Sequence, residues 1–100
     1  MYKRFVTLFF VVFSLSACSS SNDFMPSPDM TGEDIFNAVC VECHQPEGDA
    51  IMSVGAFMRD KDKITNKVLQ GSMMMPSFPN IQGEPAQKLA EYVLNNSKVK

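Results

Sequence analysis

One hundred residues with a formal charge of −2 leave room for one small domain at most, and the absence of a basic excess or a Lys/Arg cluster gives nucleic-acid binding little support. Composition is that of an ordinary globular protein, at 45% hydrophobic and 20% charged. A chain this short buries only a modest apolar core, which a cofactor or disulfides often supplement.

The chain opens with Met1-Tyr2-Lys3-Arg4, a short positive stretch, followed by a nearly unbroken apolar run from Phe5 to Phe13 and then Ser14-Leu15-Ser16-Ala17 before Cys18. This is the layout of an export signal. The run is too short to span a bilayer, which needs about 20 apolar residues. Leu15-Ser16-Ala17-Cys18 resembles the lipobox of bacterial lipoproteins. That resemblance implies a signal peptide over 1–17, diacylglycerol on the Cys18 thiol, cleavage after Ala17 and acylation of the new N-terminus. Two or more acyl chains anchor stably, at about 0.8 kcal/mol per buried methylene. The mature chain would carry 7 Lys/Arg against 11 Asp/Glu, a formal −4.

Residues 18–30 comprise the lipidated cysteine and a Ser-, Pro- and Asp-rich stretch with no helical or strand period, expected to be a flexible tether. Packing of Phe24 and Met25 on the domain surface is the alternative. In Gram-negative systems, Ser rather than Asp after the lipidated cysteine favours the outer membrane. Inner and outer membrane stay unresolved, and the expected location is the periplasmic or extracytoplasmic face.

Thr31-Gly32-Glu33-Asp34 has a capping-box pattern, and Ile35, Phe36, Val39 and Cys40 follow on one helical stripe. Gly32 weakens a helix, so its presence suggests a close approach by a second helix. Cys40-Val41-Glu42-Cys43-His44 has the C-x-x-C-H spacing of c-type haem attachment. Positions three and four apart share a helical face, so two thiols and an imidazole can address one flat object. The thiols can bond the two haem vinyl groups, and His44 can ligate the iron. A zinc site needs about four N/S ligands, and apart from Cys18 the chain has no other Cys or His. A thiol-redox C-x-x-C would call for a thioredoxin-like alternation of strands and helices, which is not evident.

The stretch Gly32 to His44 resembles the start of a small class I monohaem cytochrome c. In that family a Gly and an aromatic residue on the first helix contact an aromatic residue on the last. Members often carry Gly after the haem histidine, and a Gly-Pro-x-Leu stretch whose proline carbonyl accepts the imidazole proton. This chain has Gln45 and, where the second motif would fall, Val54-Gly55-Ala56-Phe57. An acceptor for the imidazole proton is still expected, since ligating histidines donate their other N–H, and it stays open, with the carbonyls of Val54 and Gly55 as candidates. Met52 and Met58 are expected to line the haem pocket within a loop over 45–59.

Residues 60–71 read as an amphipathic helix with Ile64, Val68 and Leu69 on its apolar side and Gly71 as its stop. Lys61, Lys63 and Lys67 are a solvated face in the simplest reading and a docking surface in another. Ser72-Met73-Met74-Met75-Pro76-Ser77-Phe78 follows. A thioether is a soft ligand suited to low-spin haem iron. The family pattern of Gly, three residues, then Met-Pro matches Gly71, Met75 and Pro76, which implies Met75 as the distal ligand, with Met74 as fallback. The bland reading of the Met run is adaptable packing.

Gly83-Glu84-Pro85 suggests a helix start, and Ala86, Leu89, Ala90, Val93 and Leu94 repeat at helical spacing. Ala90-Glu91-Tyr92-Val93 is similar to the end of a class I cytochrome c and implies contact of Tyr92 with Gly32 and Phe36. The polar tail from Asn95 is expected to fray.

The resemblance covers residues 31–96. It implies a cytochrome c domain over 31–100 with an all-α fold, three main helices and loops around one covalent haem c. The expected function is one-electron transfer within a respiratory chain, without enzymatic activity unless as a subunit of an oxidoreductase. The expected partners are membrane lipid through Cys18, a membrane-bound electron donor, and a terminal oxidase, reductase or peroxidase. A haem-based sensor of small ligands and a non-haem C-x-x-C thiol lipoprotein are the alternatives.

Overall fold

The computed structural model describes residues 21–100, so the signal-like segment and Cys18 lie outside the described residues. A first helix, α1, spans Gly32–Ile35 and continues as a π-helical turn over Phe36–Cys40. Its start is the expected capping box: Thr31 accepts from the Asp34 amide at 3.1 Å, and the Asp34 carboxylate accepts from the Thr31 amide at 2.9 Å. The change of pitch departs from the single α-helix that the apolar stripe suggests. Single π-turns recur at functional sites, and this one delivers the chain to Cys40.

Helix α2 covers Lys61–Gln70, capped by the Asp60 carboxylate on the Lys63 amide at 3.1 Å. Gly71 ends it with φ +68° and ψ −166°, a conformation that is essentially glycine's alone. Helix α3 covers Glu84–Asn96, with Pro85 in its first turn, where its missing N–H is no loss. Helix α3 packs against both α1 and α2. The core lies between these helices and the loop before α3: Ile35, Ile64, Val68, Phe78, Ile81, Leu89, Ala90 and Val93 are all buried.

The expected approach of the terminal helices is present. A Cβ on Gly32 would overlap the Lys88 carbonyl and come within 2.8 Å of Tyr92 Cβ, so only glycine fits. Phe36 and Tyr92 meet edge to face, with ring centroids 5.7 Å apart and planes at 62°.

Three expectations need correction. The fold is not purely helical: β1 (Ser53–Val54) and β2 (Lys98–Val99) form a two-stranded parallel sheet, Ser53 opposite Lys98 and Val54 opposite Val99. Parallel pairing needs a long crossover, which α2 and α3 supply. The tail therefore does not fray. Its amides at Lys98 and Lys100 donate to the carbonyls of Met52 and Val54, at 3.1 and 3.0 Å. Nor is residues 21–30 a loose linker. Ser21 pairs with Ser77, the Asn22 amide donates to the Ser77 carbonyl at 2.8 Å, Phe24 packs against the core and Pro26 is buried. The alternative weighed for Phe24 holds, while Met25 stays exposed.

Among the described residues, no helix is long and apolar enough to cross a membrane.

Candidate functional site

The C-x-x-C-H segment folds as one helical turn. The amides of Cys43 and His44 both donate to the Cys40 carbonyl, at 3.3 and 3.0 Å, and the Gln45 side chain donates to the Val41 carbonyl at 3.2 Å. This turn, α2, α3 and the loop after α2 enclose a cleft of about 220 Å³. Phe36, Cys40 and His44 form one wall, Met52, Val54 and Met58 another. Ile64 and Val68 come from α2, Leu89 and Val93 from α3, and Met75 from the loop. Protein interiors leave few voids larger than a water molecule, so an apolar cleft of this size in a small domain is shaped for a large apolar occupant.

Met75 is held by its loop. The Ser72 amide donates to the Met75 carbonyl at 2.9 Å, and the Phe78 amide to the Val68 carbonyl at 2.8 Å. A Cβ on Gly71 would come within 2.7 Å of both the Met75 carbonyl oxygen and the Ser77 amide nitrogen. Gly71 thus lets the loop fold back tightly on the end of α2. The three adjacent methionines separate clearly: Met75 is half-buried in the cleft, whereas Met73 is 84% and Met74 93% exposed.

The structure therefore brings Cys40, His44 and Met75 onto one cleft. Cys43 is exposed on the same helical turn and does not line it. Burial pushes the Cys40 thiol up to about 11, with the Cys43 sulfur adding to the shift. Burial also lowers His44 below its ordinary value. An imidazole kept neutral at pH 7 has its lone pair free for a metal. Met52 and Met58 line the cleft as expected. The Val54 carbonyl accepts from Lys100 at 3.0 Å and the Gly55 carbonyl from Met58 at 2.8 Å, and no hydrogen bond from the His44 ring is present among the described residues.

Two cations at the cleft escape the sequence reading. Lys67 and Lys100 both line it. The signal for Lys67 was its position three residues after Ile64, at the border of the apolar stripe; Lys100 arrives only through the β1–β2 pairing. The donor set fits a haem: two thiols on one turn, a neutral imidazole and a soft thioether on an apolar cleft, with ammonium groups able to balance the carboxylates a haem carries.

Comparison with known proteins agrees with this chemistry. Residues 27–93 match the family described as cytochrome C oxidase, cbb3-type, subunit III. Cytochrome c6 of Gracilaria tenuistipitata var. liui is 30% identical over 105 residues, covering 95% of this chain and 96% of that protein. Cytochrome c6 of Pyropia yezoensis is 28% identical and that of Porphyra purpurea 27%, each over 96% of both chains. No solved structure matches the chain with comparable significance.

Proposed function

The chain belongs to the cytochrome c family, with the covalently bound haem c that this implies, and on that premise we propose that it is a lipid-anchored one-electron carrier of a respiratory chain. Proteins of this kind carry electrons to and from redox partners and are not enzymes. We assign the haem thioethers to Cys40 and Cys43, the proximal iron bond to His44 and the distal one to Met75. The observation that carries this reading is the convergence of His44 and Met75, from segments 31 residues apart, on one apolar cleft that Cys40 also lines.

When bound, the haem supplies an iron that passes between ferrous and ferric states. The chain's own residues set the conditions. The apolar walls from Phe36, Ile64, Val68, Leu89 and Val93 exclude water and keep the local dielectric low. Met75 would hold the iron, leaving no site for a substrate, and Met/His ligation would favour a raised potential. Lys67 and Lys100 line the cleft, where their ammonium groups would balance the carboxylates that a haem carries. The Gly71 turn fixes the loop that presents Met75.

Cys18 is the lipidation site in this reading, after removal of 1–17, and it holds the domain at the extracytoplasmic face of a bacterial membrane. Its partners there are a membrane-bound electron donor and a terminal oxidase, reductase or peroxidase. Export also supports haem attachment, since a cytosolic C-x-x-C is more often a metal or thiol-redox site.

The test is a spectroelectrochemical titration of the mature protein under carbon monoxide and under argon. The account predicts one reversible one-electron wave, unaltered by carbon monoxide because Met75 occupies the sixth position. Ready binding of carbon monoxide would instead identify an open-site sensor.

A further inference from the structure

We propose that residues 21–26 act as a strap that presses the Met73–Met74 tip onto the lipid surface, so that the domain rides the membrane in one orientation. The inference rests on the lipidation of Cys18 proposed above.

The strap is tied to the loop that carries Met75. Ser21 pairs with Ser77, the Asn22 amide donates to the Ser77 carbonyl at 2.8 Å, and the Asn80 side chain donates to the Asp23 carbonyl at 3.0 Å. Phe24 and Pro26 then seat the strand on the domain. Only two residues, Ser19 and Ser20, separate Cys18 from Ser21, a span of at most about 10 Å. In this proposal the acyl chains therefore leave the molecule within about 10 Å of Ser21, which pairs with Ser77, two residues from Met75.

The surface at that point suits a bilayer. Met73 and Met74 are the two most exposed large apolar side chains among the described residues. No charged residue occurs from Gly71 through Gly83, in a chain where one residue in five is charged. Ser19, Ser20, Ser21 and Asn22 are also uncharged. Insertion of Met73 and Met74 into the headgroup and acyl boundary buries thioether side chains, with the exposed Asp23 of the strap left on the aqueous side. The other faces carry the surplus of carboxylates that makes the mature chain −4, so the surface that accepts the tip is a zwitterionic bilayer. The Met75 edge of the cleft then faces the membrane, and electron exchange through it is confined to partners embedded there.

The experiment uses the full-length, lipidated, haem-loaded protein in phosphatidylcholine vesicles doped with spin-labelled quencher lipid. Met74→Cys and, separately, Met73→Cys carry an environment-sensitive fluorophore. These are the only free thiols once Cys18, Cys40 and Cys43 are bonded. The expected result is strong quenching at both positions, lost when about twelve Gly-Ser residues, roughly 20 Å of flexible chain, are inserted between Ser20 and Ser21. Protein that floats with the vesicles yet shows no quenching overturns the orientation alone. Quenching that survives the insertion overturns the role of the strap. Protein that fails to float overturns the lipid anchor and this inference with it.

Discussion

Gly71 decides where Met75 can sit. Its backbone, at φ +68° and ψ −166°, lies in a region that other residues occupy only under strain of about 1–3 kcal/mol, and an added Cβ would press on Met75 and Ser77 at 2.7 Å. Gly71→Ala should therefore destabilise the haem-loaded protein by about that amount or more in denaturant unfolding. The iron–thioether absorption should weaken in the same variant, because the strain falls on the ligand loop. The same residue explains why this part of the site was legible in the sequence. Gly71, Met75 and Pro76 lie within six positions of each other, so the family pattern that singles out Met75 is local, and the structure half-buries Met75 in the cleft while leaving its two neighbours exposed. The imidazole acceptor was not legible, because Val54-Gly55-Ala56-Phe57 stands where the family's proline-bearing stretch would supply it.

Among the elements, a close approach to α1 could be read from the chain, since a glycine inside a capped helix needs a packing reason, while the family resemblance pointed to Tyr92 of α3 as the contact that the structure shows. The β1–β2 pairing could not. It joins residues 45 apart through backbone groups, which leave no side-chain period to read. Arg59 belongs to the same class. Its guanidinium donates to the Ser97 hydroxyl at 3.0 Å and to the Leu94 carbonyl at 2.9 Å, satisfying groups at the end of α3 that have no partner within the helix. Arg59→Ala should cost about 1.5–3 kcal/mol, the range for hydrogen bonds to a charged group, read from the denaturant midpoint. Glu47 ties the turn before β1 to β2. Its carboxylate accepts from the Ser53 hydroxyl and pairs with Lys98 at 3.2 Å, and these contacts, the hydroxyl first, lower its pKa from 4.5. Its contribution is present above pH 4.5 and is lost as pH falls through the lowered folded value. Thermal melts of the wild type should lose a small increment of stability on acidification into that range. Glu47→Gln should lack this increment, and identical pH profiles would contradict the assignment.

At the scale of the whole molecule, three helices hold an apolar cleft open, and the backbone strap and tail close its surroundings. The class of fold was legible because the attachment motif, the ligand loop and the two amphipathic stripes are each local patterns. The strap over 21–26 and the tail over 97–100 were not, because polar composition says little about an extended chain that pairs through its backbone. The central claim is that Met75 and His44 complete one iron site across this cleft. It is tested most directly by absorption spectra and potentials of Met75→Ala beside Met73→Ala and Met74→Ala. The account predicts loss of the iron–thioether band and a lower potential in Met75→Ala alone. An unchanged band and potential in Met75→Ala would contradict it.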